Sequence, residues 1–198
     1  MSPKQDRSRE TETAIVRAAM KLATDRSSSE ITIRDICAEA GVSVGAFYHH
    51  FSSRQELYHR SFENFDRELS QYMVYFKQQK PPLETLTELL LFQTSFSVRE
   101  IGSAARYYFI AILSDTTHTY VDPSRLYYQS VHACVRRLAE ANQLRADCAP
   151  DSIAELCILF VRGSLIDWCL HNQSYDVVDR VRSSLPVLYR GFLENPPN

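Results

Sequence analysis

Between residues 45 and 50 the chain brings together Tyr48, His49 and His50. Each carries an N–H or O–H group of the kind that holds phosphate oxygens. Beside them lie Gly45 and Ala46. These small side chains let a backbone press against the edges of bases. Donors for a phosphate backbone and little bulk toward the bases are the chemistry of a duplex DNA contact.

A second group of candidates falls between residues 83 and 145. Aromatic residues concentrate there, with Phe92, Phe96, Tyr107, Tyr108 and Tyr128 interleaved with Arg106 and His132. An apolar lining with a few convergent polar groups is the form of a small-molecule site, and Arg106 or His132 suits an anionic ligand. The same aromatic stripe also suits an ordinary helical core.

Other chemistry finds no support. No Gly-rich phosphate loop, G-x-S-x-G or paired acid–base spacing occurs. The six His form no H-E-x-x-H, so neither a metal nor a cofactor is expected. The five Cys are odd in number, widely spaced and without C-x-x-C. They read as small buried residues of a reduced, cytoplasmic protein.

The elements that must position these residues are helical. Ala14, Ile15, Ala18, Ala19, Leu22 and Ala23 mark one face of a first helix. Its amino-terminal arm, with Lys4, Arg7 and Arg9, reads as a solvated tail. Thr32 and Asp35 can cap a short second helix, which Gly41 stops. Ser43 opens a third short helix, and Ser53 with Glu56 forms a capping box for a long fourth. Two short helices about a Gly-containing turn make a helix-turn-helix, whose second helix can enter the major groove. Phe47, Phe51 and Leu57 are assigned to its core. Pro81-Pro82 then breaks the chain. Further helices are expected at about 83–97, 100–113, 124–145, 151–172 and 176–194, the last kinked at Pro186. The class is all-α.

The run from Ile31 to Leu57, ITIRDICAEAGVSVGAFYHHFSSRQEL, resembles the DNA-binding signature of the TetR family of bacterial transcriptional regulators. Thr32, Ala40-Gly41-Val42-Ser43, Phe47-Tyr48, His50-Phe51, Arg54 and Leu57 carry the likeness. The resemblance implies an amino-terminal three-helix bundle over residues 1–52. A larger ligand-binding and dimerisation domain follows over 53–198, entered through a connecting helix at 53–80. It implies phosphate contacts from Thr32, Arg34, Tyr48, His50 and Arg54. Val44, Gly45 and Ala46 would face bases through apolar contacts, which leaves much of the specificity to Arg34, Ser43, His49 or DNA shape. It further implies a homodimer, a pseudo-palindromic DNA operator and an unidentified small-molecule effector that releases a repressor.

The dimer surface is expected on the last two helices. Phe160, Ser164, Trp168, Val181, Leu185 and Leu188 are its candidates, because both segments are too apolar to be covered on one side only. The whole chain has 22 basic and 24 acidic residues, and residues 1–60 carry nine and eight. Charge therefore does not by itself argue for a polyanion partner. Two other classes stay open at this point: an all-α ligand-binding protein or enzyme that does not use its helix-turn-helix on DNA, and a protein-interaction module. No apolar run is long enough to cross a membrane.

Overall fold

The computed structural model describes residues 3–25, 31–76, 80–102, 105–113 and 119–196. Within them the regular structure is helical, apart from one isolated bridge between Leu144 and Leu193. The helices are α1 (Pro3–Asp25), α2 (Ile33–Ala40), α3 (Val44–His50), α4 (Arg54–Phe76), α5 (Pro82–Glu100), α6 (Ala105–Leu113), α7 (Leu126–Glu140), α8 (Pro150–Leu170) and α9 (Val177–Arg190). The chain forms two compact units. One comprises Met1–Phe62 with Ile101–Thr119, the other Glu63–Glu100 with Tyr120–Asn198.

In the first unit α1 packs on α2, and α2 on α3. Ile15, Ala18, Ala19, Ile31, Ile36, Cys37, Phe47, Phe51 and Leu57 form its core. Phe47 and Phe51 are wholly buried, with ring centroids 5.6 Å apart. Each removes an aromatic face from water, worth about 2–3 kcal/mol. The helix α1 begins at Pro3, so the segment expected to be a tail is helical. Thr11 Oγ1 donates to the Arg7 carbonyl there. The side chains of Lys4 and Arg9 lie outside the described residues.

Gly41 sets the angle between α2 and α3. It has φ +68°, the left-handed region where a side chain is strained. Its N–H and that of Val42 return to the Ala38 and Cys37 carbonyls and close the helix. A Cβ built at Gly41 meets nothing within 4 Å. The expected cost of Gly41→Ala is therefore purely conformational, about 1–2 kcal/mol, checked by chemical unfolding. A cost near zero would remove the turn's claim on glycine.

In the second unit α5 packs on α7, α8 and α9, and α8 lies between α7 and α9. The helix α7 ends at Glu140, not near 145. Asn142 takes φ +53° and Gln143 N–H returns to the Leu138 carbonyl, which turns the chain. The following strand-like stretch pairs with the segment after α9 through Arg145 N–H to Phe192 O and Glu194 N–H to Gln143 O. Pro150 stands in the first turn of α8, where a missing N–H costs nothing. Asp176 caps α9 by accepting from Asp179 N–H. That helix continues through Pro186 to Arg190.

Four of the five Cys are buried and all are free thiols. Burial pushes Cys134 up to about 11 and Cys157 up to about 12, so both stay protonated and act as packing.

Candidate nucleic-acid interface and a second polar cluster

Two caps orient the helix-turn-helix. Thr32 Oγ1 accepts from Asp35 N–H, and the Asp35 carboxylate accepts from Thr32 N–H at 2.8 Å and from Thr32 Oγ1–H at 2.6 Å. Both donors of Thr32 are thus committed inside the chain, and its main effect is to start α2. Ser43 Oγ accepts from Ala46 N–H at 3.0 Å and starts α3, which leaves only its hydroxyl hydrogen to donate outward. The expected Ser53–Glu56 box is half formed. Ser53 Oγ accepts from Glu56 N–H, while the Glu56 carboxylate turns to Ser52 N–H and Oγ–H.

The seven residues of α3 divide by helical period. Phe47 is buried against the core, and Ala46 and His50 are half-buried on the flanks. Val44, Gly45, Tyr48 and His49 face solvent. Tyr48 is 55% exposed, and its ring stands edge-on to Phe47 at 5.5 Å. One turn of helix therefore shows a continuous strip, Val44–Tyr48 and Gly45–His49, without a bulky obstacle. Arg34 is exposed on α2. The side chain of Arg54 lies outside the described residues; its backbone opens α4.

Gly45 is informative because the fold does not require it. Its helix is regular, and a Cβ there meets only Ser43 Oγ at 3.8 Å. Alanine at such a position is ordinarily better for a helix by about 1 kcal/mol. The missing side chain leaves room on the exposed face.

The candidates of the second group divide between the two units. Phe92 and Phe96 belong to an aromatic cluster with Phe65 at 5.6 and 5.0 Å. Tyr128 is buried and joins the same compact unit. Arg106, exposed, and Tyr108, buried, belong to the other unit. The side chain of Tyr107 lies outside the described residues. His132 faces Asp151 Oδ1 at 3.1 Å and Glu155 Oε1 at 3.3 Å, both on exposed residues of α8. Those carboxylates engage both of its ring nitrogens.

Sequence reasoning missed Arg162. Its Nη2 donates to Tyr128 Oη, which in turn donates to the Tyr120 carbonyl. It is the one basic residue of α8, and a lone charge in an apolar run was the available signal. Arg125 is held by both oxygens of Asp66, at 3.1 and 3.2 Å.

The dimerisation candidates also need correction. Trp168, Val181 and Leu185 are buried within their own chain. Trp168 Nε1 donates to the Tyr175 carbonyl. Their faces pack inward, so they do not form an outer surface. Phe160, Ser164 and Leu188 are half-buried. The apolar groups that do face outward are Leu156, Leu159 and Leu170 on α8 and Val187 on α9, between 43% and 75% exposed.

With this geometry in place, comparison with known proteins decides the family. The model of the bacterial regulatory proteins of the tetR family matches residues 15–60, the span from the first core residue of α1 into α4. Residues 15–60 are a DNA-binding domain of the TetR family. It is 21% identical over 196 residues to the HTH-type transcriptional regulator AcrR of Shigella flexneri, covering 94% of this chain and 91% of that one. It is 33% identical over 100 residues to the HTH-type transcriptional repressor KstR2 of Mycolicibacterium smegmatis, which covers 50% and 47%. The fold matches that of CprB from Streptomyces coelicolor, solved in complex with its operator, with a TM-score of 0.61 at 23% identity over 94% of this chain and 90% of that one. The chain is a DNA-binding transcriptional regulator. Among its described residues no helix is long and apolar enough to cross a membrane.

Proposed function

We propose that the protein is a cytoplasmic, homodimeric repressor. It reads a pseudo-palindromic operator through α3 and releases it when a small molecule occupies the second unit. The exposed strip Val44, Gly45, Tyr48 and His49, held by the buried Phe47, carries this reading. Val44 offers a methyl surface to thymine, and the gap at Gly45 admits the groove edge. Tyr48, His49, His50, Arg34 and Arg54 supply phosphate contacts, and Ser43 adds its hydroxyl hydrogen. Specificity beyond this apolar readout falls to DNA shape. The comparison proteins support the regulator class: one is titled a repressor, another was solved on its operator.

Two half-sites need two copies of α3. The outward strip of Leu156, Leu159, Leu170 and Val187 is apolar surface of the kind a second copy covers. Replacing Leu159 with Arg should convert a dimer to a monomer in sedimentation and cut operator affinity at least about tenfold. An unchanged sedimentation coefficient would move the interface elsewhere.

The reading as a whole is tested by binding to the DNA upstream of the protein's own coding region. Salt-sensitive, sequence-dependent binding that an effector weakens is expected. Equal affinity for that DNA and an unrelated duplex would contradict it.

A further inference from the structure

The second unit holds a half-buried arginine for which the described residues show no carboxylate partner. Arg162 donates through Nη2 to Tyr128 Oη, and its guanidinium carbon lies 5.1 Å from the centre of the Tyr120 ring. Its Nε–H is buried and meets no acceptor. The hydroxyl of Tyr127, on a side chain only 4% exposed, is also buried and meets no partner. Tyr127 stands edge-on to Tyr128 at 6.0 Å and to Phe65 at 5.6 Å. Both orphan donors thus belong to one aromatic cluster, which continues through Phe92 and Phe96.

Two carboxylates of this unit, Asp66 and Glu155, are engaged elsewhere. Asp66 takes both prongs of Arg125, and Glu155 faces His132. Arg125 is thereby neutralised and Arg162 is not. A buried donor without an acceptor is destabilising, and a half-buried cation draws an anion more strongly than one in open water. A ligand that brings one negative charge and two acceptor oxygens satisfies both. Burial keeps the Tyr127 phenol well above its ordinary pKa, so it is a donor throughout the neutral range.

We infer that Arg162 and Tyr127 receive the carboxylate of a monoanionic organic acid whose apolar body lies against Phe65, Phe92 and Phe96. The inference deepens the effector reading above and rests on it. A single unpaired cation favours a monoanion over a doubly charged phosphate ester. The guanidinium fork matches a planar carboxylate, and the phenol adds a donor from a second helix.

The test is titration calorimetry on the full chain with benzoate and octanoate, each beside its amide. The amides keep the shape and lose the charge. At least one acid should bind, and its amide at least about tenfold more weakly. Arg162→Gln should weaken the acid about 30-fold or more, with Arg162→Lys restoring part of it. Tyr127→Phe should weaken it about tenfold yet keep or raise the melting temperature, because the lost hydroxyl has no partner to abandon. Amides binding as well as acids would overturn the inference. So would acid affinity indifferent to Arg162→Gln, or no binding by any probe at about 10 mM. A parallel arm follows operator release by anisotropy. An acid that binds through Arg162 without releasing DNA upholds the anion site and refutes the effector reading. Release by the amides alone does the reverse.

Discussion

Gly45→Glu should abolish operator binding while leaving the fold at least as stable as the wild type. Inside the chain the substitution is easy, since the nearest atom to a new Cβ is Ser43 Oγ at 3.8 Å. A helix gains up to about 1 kcal/mol when glycine leaves it. A carboxylate near the start of α3 adds a few tenths of a kcal/mol through the helix dipole. On the outer side the same carboxylate meets phosphates and fills the space the groove edge needs. The expected loss of affinity is at least about 100-fold, or roughly 2.7 kcal/mol. Gly45→Ala should fall between, with stability raised and binding weakened. Anisotropy with a labelled operator and urea unfolding together read both signs. Binding untouched by Glu at 45 would show that α3 is not the reading helix.

Phe47→Ala should have the largest effect on the fold of the first unit. Phe47 is wholly buried, and its ring meets Phe51 and Tyr48 at 5.6 and 5.5 Å. Emptying such a site costs about 3–5 kcal/mol. That is a large share of the roughly 5–15 kcal/mol by which a domain is stable. Because Phe47 anchors α3, the loss removes the support beneath Val44 and Tyr48. Hydrogen exchange should show protection lost through α1, α2 and α3, with α7, α8 and α9 retained. A destabilisation below about 1 kcal/mol would contradict the assignment of Phe47 as the core anchor.

The sequence carried the first unit in fine detail because its elements are set by local chemistry. Thr32 with Asp35, Gly41 and Ser43 each act within four residues of their own position, and each does so in the structure. Phe47 and Phe51 are separated from Tyr48 by helical period alone. What failed needed knowledge of the far side of a helix. Val181, Leu185 and Trp168 were apolar on apolar segments, and nothing local distinguishes an inward face from an outward one. Both α8 and α9 carry apolar residues on two sides, so composition could not choose. The polar centre at Arg162 depends on Tyr120 and Tyr128, more than thirty residues away along the chain. The pairing of His132 likewise depends on Asp151 and Glu155, brought in by α8.

The central claim is that α3 reads a two-fold DNA site. Selection of bound sequences from a random duplex pool tests it most directly, with the wild type beside Arg34→Ala/Tyr48→Ala. The account predicts a palindromic consensus for the wild type, two half-sites about one helical turn apart, lost in the double variant. No enrichment by ligand-free protein, or a consensus that survives the double substitution, would contradict it.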